Sequence, residues 1–178
     1  MINMNDLRLR PENTEPESTS TGGVVILCDC SGSMSTTEGD RRRIDLVNDA
    51  LKPIRADNPN ARIIAFASEP RLCRGDLPPT GGGTDLAAAI REAARYRPCR
   101  TVILSDGEPN DEAAALKALS ELPGVVDVVF CGADSEKSAV KFLTGLARRG
   151  GGDYLSAELK NGHRQLTGKL KMLMASKP

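Results

Sequence analysis

Short apolar runs separated by amphipathic stretches constrain this chain more than any other feature. Residues 24–28 (VVILC), 61–68 (ARIIAFAS), 100–104 (RTVIL) and 125–131 (VVDVVFC) each read as a strand buried on both faces. Between the first two, residues 42–56 place Ile44, Val47, Leu51 and Ile54 at spacings of three and four, one apolar face of a helix. Pro53 is expected to end or kink that helix, because proline removes a donor and crowds the preceding turn. A second helix is expected over 84–97 (TDLAAAIREAARYR), with Leu86, Ile90 and Ala93 or Ala94 inward and Thr84 placed as its N-cap. Further helices are expected over 111–121, 135–149 and 163–175, the first of them closed by Pro123-Gly124. Residues 153–157 suit a last short strand, and 70–74 an edge strand, since Pro70 cannot donate to a ladder. Strands alternating with helices across short loops predict a doubly wound α/β fold, an open parallel sheet with helices on both faces.

At 178 residues the chain is long enough for one domain with a full core. Hydrophobic residues make up 39% and aromatics 3%, without tryptophan, so the core must be aliphatic. Lys plus Arg and Asp plus Glu number 24 each, a balance that argues against electrostatic capture of nucleic acid. The runs Arg41-Arg42-Arg43 and Arg148-Arg149 lack interleaved aromatics and read as solvated helix ends. Cys28, Cys30, Cys73, Cys99 and Cys131 are odd in number and follow no secretory signal; they read as reduced, mostly buried thiols. Cys28 and Cys30 in a chain whose one histidine is His163 make a poor zinc site. His163 itself lies in a polar run and reads as a surface residue. No apolar run approaches the ~18 residues of a membrane span, and no start resembles a signal peptide, which points to a soluble, cytoplasmic protein. Residues 1–23 mix charge with Pro, Ser and Thr without periodicity and read as a flexible leader to a domain over 24–178.

The chemistry is concentrated where the first strand ends. Asp29, Ser31 and Ser33, at positions i, i+2 and i+4, set three side-chain oxygens in one arc, with Gly32 allowing a tight turn. Hard oxygens suit a hard cation such as Mg²⁺, which takes an octahedral shell at about 2.0–2.1 Å. Asp-x-Ser-x-Ser alone is ambiguous, because the same side chains also bond local backbone in ordinary loops. Thr84, after a glycine-rich loop, and Asp106, after the strand at 100–104, fall at the end of the sheet where such folds bind ligands. If the two aspartate-bearing strands are neighbours, one crevice gathers Asp29, Ser31, Ser33, Thr84 and Asp106, with water completing the shell. Two carboxylates then balance one divalent cation.

The three motifs DCSGSMS, GGGTD and LSDGEPN, in this order and separation, resemble the von Willebrand factor type A domain. The metal-ion-dependent adhesion site of that family is matched by Asp29, Ser31, Ser33, Thr84 and Asp106, and the resemblance runs from Val24 to about Met174. It implies a Rossmann-like, mostly parallel six-stranded sheet with one antiparallel edge strand, at residues 70–74, and a Mg²⁺ or Mn²⁺ ion at its top. It also implies that serines and threonine touch the metal while the aspartates act through water, and that a partner protein's Asp or Glu fills the open position. Glu108 and Asp85 border the site and read as surface charges. The small intracellular members of the family act as partners or adaptors, some beside AAA+ ATPases, and a stress or prophage setting also suits.

Enzymatic alternatives fit less well. An aspartyl-phosphate phosphatase wants a second carboxylate two residues after its nucleophile, where this chain has Ser31. A serine hydrolase wants Gly-x-Ser-x-Gly, and Ser31 lacks the first glycine. A P-loop wants a lysine that GGGTD does not supply. The sequence therefore predicts a metal-dependent protein-binding module that is not an enzyme. A metal-free structural domain is the other alternative.

Overall fold

The computed structural model describes residues 22–133 and 135–176. The leader expected over 1–23 lies outside them except for Gly22 and Gly23. The amide of Gly22 bonds the Arg97 carbonyl, and the Gly23 carbonyl accepts from Cys99 N.

Strand β1 (Val24–Asp29) runs down the middle of the sheet. Its side chains alternate between two cores: Ile26 and Cys28 enter one cluster, Val25 and Leu27 the other. Burial on both faces is why this strand reads as an unbroken apolar run. A 3-10 turn over Gly32–Ser35 follows, pinned by the fully buried Met34. Beyond it lies a small hairpin of β2 (Thr37–Glu38) and β3 (Arg41–Arg42). Gly39 has φ +70 at its two-residue turn, a conformation glycine adopts without a β-carbon clash.

Helix α1 (Arg43–Asp57) continues past Pro53 for another turn and does not end there. Leu51 and Ile54 are buried on either side of the proline, and Asn58 closes the last turn through Ile54 O at 2.9 Å. Tertiary burial here outweighs the lost hydrogen bond. Strand β4 (Arg62–Phe66) pairs parallel to β1, and β5 (Pro70–Cys73) pairs antiparallel to β4 at the edge. Helix α2 (Leu86–Ala94) leads to β6 (Arg100–Ser105), which pairs with the other side of β1. Helix α3 (Glu112–Leu119), β7 (Val125–Phe130), α4 (Lys137–Arg149), β8 (Gly151–Ser156) and α5 (Arg164–Ala175) complete the chain.

The sheet order β5-β4-β1-β6-β7-β8, with all but the β4–β5 pairing parallel, is the expected six-stranded doubly wound sheet. Helices α1 and α5 supply Leu46, Leu51, Leu166 and Leu170 to the core on one face. Helices α2, α3 and α4 supply Ile90, Ala115 and Leu143 to the other. The chain leaves β1 toward β4 on one side and returns to β6 on the other. The topological switch point therefore lies between the carboxyl ends of β1 and β6.

Candidate metal centre

Asp29 ends β1 and Asp106 follows β6, so the two aspartates stand over neighbouring strands. Both are fully buried. Asp29 Oδ1 accepts from the Ser31 amide at 2.8 Å, and Oδ2 accepts from Ser105 Oγ at 2.7 Å. Burial pushes the Asp29 carboxyl up to about 6, and the Asp106 charge adds to that, against the lowering effect of the Ser105 and Ser31 bonds. A cation at this point would offset the same desolvation.

The 3-10 turn carries the serines outward in sequence. Ser31 Oγ lies 3.0 Å from Ser33 Oγ, and Ser33 Oγ donates to Asp106 Oδ1 at 2.7 Å. Both are ordinary O–H···O hydrogen-bond lengths, and they are compatible with the about 3.0 Å between adjacent ligands of an octahedral Mg²⁺ ion. Among the described residues no three His, Cys, Asp or Glu side chains converge on one point. The donor set here is two carboxylates and neutral hydroxyls. Those are hard oxygens, and they fit Mg²⁺ or Mn²⁺ better than zinc.

Thr84 joins through its backbone. Its amide donates to Asn110 Oδ1 at 2.9 Å and its carbonyl accepts from Asn110 N at 2.9 Å, which ties its loop to the one carrying Asp106. On the other flank, Gly81 N bonds Cys30 O at 3.0 Å and Gly32 N approaches Gly82 O at 3.4 Å. Gly82 has φ +73, and a β-carbon there would meet Ser68 Oγ at 2.6 Å. The space-critical glycine is thus in the Thr84 loop, whereas Gly32 has ordinary φ and room for a β-carbon. The N-cap of α2 is Asp85, whose carboxylate accepts from Ala88 N at 2.9 Å, so Thr84 does not fill the capping role expected for it. Its hydroxyl makes no hydrogen bond among the described residues. Asp85 is half-buried and Glu108 exposed.

Sequence reasoning missed three participants. Ser105 and Asn110 sit within the motif LSDGEPN but were not assigned roles; each orients a site residue. Arg43 was grouped with solvated helix ends, yet its side chain is 6% exposed and its guanidinium reaches Asp106 Oδ2 at 2.8 Å. It is the first residue of α1, which turns it inward while Arg41 and Arg42 stay exposed. The cysteines are all free. Cys28, Cys30 and Cys131 are buried, and Cys73 and Cys99 are partly so.

Residues 71–155 match the family model described as the von Willebrand factor type A domain. No curated protein matches the chain. Among solved structures, an aerotolerance-related membrane protein from Bacteroides fragilis matches with a TM-score of 0.62 at 19% identity, covering 86% of this chain and 98% of that one. BatB from Bacteroides thetaiotaomicron matches with a TM-score of 0.61 at 14% identity, covering 87% and 100%. The manganese-loaded TRAP protein of Plasmodium vivax matches with a TM-score of 0.54 at 16% identity, covering 83% and 72%. At such identities the likeness is one of fold. Sheet order and antiparallel edge agree with the fold of these structures, and residues 71–155 with the family model. No helix among the described residues is long and apolar enough to cross a membrane.

Proposed function

We propose that this domain binds a protein partner through a divalent cation, Mg²⁺ or Mn²⁺, held by Asp29, Ser31, Ser33, Thr84 and Asp106. The observation that carries the reading is the string of oxygens from Ser31 through Ser33 to Asp106, spaced 3.0 and 2.7 Å, at the switch point of the sheet. Neutral hydroxyls leave a bound cation electrophilic, so an Asp or Glu of the partner gains a strong ionic contact there. The manganese in the TRAP structure favours the same class of ion here. A non-enzymatic role is supported by Ser31, which stands where an aspartyl-phosphate mechanism needs its second carboxylate. An adaptor role beside an AAA+ ATPase, a stress or prophage complex and a cytoplasmic setting complete the proposal and rest on the family resemblance.

The experiment is calorimetric titration of Mg²⁺ and Mn²⁺ into wild type and Asp29→Asn, with circular dichroism to confirm folding. Saturable binding in wild type and its loss in the folded variant are expected. Equal binding by both proteins would sink the assignment.

A further inference from the structure

Of the two carboxylates in the candidate centre, only Asp106 is in contact with a basic side chain among the described residues. Its Oδ1 faces Ser33, while its Oδ2 accepts from Arg43 at 2.8 Å. The same guanidinium also holds Glu38 Oε1, through its Nε and a terminal nitrogen, both at 2.9 Å. Glu38 comes from the β2–β3 hairpin, and the Arg43 amide bonds Thr36 O at 2.9 Å at the hairpin's root. The hairpin, the start of α1 and the loop after β6 therefore meet on one buried arginine. A guanidinium fork suits this geometry, since it donates in two directions from one plane.

Electrostatics gives this contact a consequence for the metal. Asp29, Asp106 and Glu38 carry three negative charges and Arg43 one positive, so the cluster stands at about −2, with the arginine's charge shared between Asp106 and Glu38. Burial works against the charge on Arg43, but the bonds to Asp106 and Glu38 outweigh it and hold the group firmly protonated. A positive charge hydrogen-bonded to one ligand also repels an incoming divalent ion, and a low-dielectric site magnifies the repulsion.

We propose that Arg43 is the site's built-in counter-ion: it neutralises and orients Asp106 when no metal is bound, and it lowers the intrinsic affinity for the divalent cation. The inference rests on the metal-binding reading above and sets its regulation. Arg43 holds Asp106 in place before the cation arrives, and the cation enters beside a fixed positive charge.

The test uses the full chain, wild type beside Arg43→Gln and Arg43→Lys. Thermal melting is followed in EDTA and in Mg²⁺ or Mn²⁺, together with calorimetric titration of each ion. Arg43→Gln keeps a donor but removes the charge. It should melt lower than wild type in EDTA, rise further on adding metal, and bind the ion roughly tenfold or more tightly. Arg43→Lys keeps the charge and should show a metal response close to that of wild type. If Arg43→Gln folds only when metal is present, the counter-ion role is supported directly. A variant that metal does not rescue, or one whose metal response equals that of wild type, overturns it. If none of the three proteins responds to metal, the metal-binding reading has failed instead, and this inference goes with it.

Discussion

Two buried arginine–aspartate pairs, Arg100 with Asp127 and Arg43 with Asp106, differ in what surrounds them. In one, Arg100 at the start of β6 bonds Asp127 on β7, and Asp127 Oδ1 accepts from the Asp153 amide on β8 at 2.8 Å. A β-carbon on Gly152 would come within 2.6 Å of that oxygen, so neighbouring backbone closes over the aspartate. The other pair, Arg43 with Asp106, continues through Ser33 and Ser31 toward an exposed loop. Strands and the Ser176 carbonyl, which Arg100 reaches at 3.4 Å, close in the first pair; the second runs into a loop where Ser33 is exposed and Ser31 buried. Burial alone does not separate the two, since all four side chains are 6% exposed or less.

The sharpest way to break the contrast is to remove one carboxylate from each pair. Asp127→Ala leaves Arg100 charged and buried, and should cost about 3–5 kcal/mol in urea unfolding. Asp106→Asn removes the charge but keeps one oxygen for Arg43 or Ser33 and leaves Arg43 its bond to Glu38, so it should cost less, about 1–3 kcal/mol, and should abolish the metal response. If Asp106→Asn proved the more damaging to stability, the upper pair would be structural too. A smaller effect is expected at the start of α2. Asp85→Ala deletes the N-cap bond and should lower stability by about 1 kcal/mol, with metal binding by calorimetry retained. The smallest change in stability belongs to Thr84→Ala, whose hydroxyl bonds nothing among the described residues. Its melting temperature should stay within a degree or two of wild type, while metal binding falls. A large stability loss there would show that the hydroxyl serves the fold.

Much of this was legible in the chain. Apolar runs placed the strands within a residue or two, because a strand buried on both faces has little choice of residue type. The edge position of β5 followed from Pro70, and the site aspartates from their place after apolar runs. The failures share a cause. Pro53 was read by its local cost, but burial of Leu51 and Ile54 on both sides holds the helix through it. Thr84 and Asp85 are both good caps by type, and only the backbone path shows that Asp85 takes the role. Gly32 looked like the necessary glycine because it lies inside the motif; the crowded position is Gly82, against Ser68 from a distant loop.

Arg43 marks the boundary between the two kinds of information. The sequence by itself determined the alternating elements, the aliphatic core and the set of oxygens at the strand ends, because each depends on residue type and spacing along the chain. Only the tertiary structure decided which of three consecutive arginines is buried, which carboxylate it neutralises, and which hydroxyl is left unbonded. Those depend on the direction of a helix start and the approach of loops far apart in sequence, and local patterning carries no record of either.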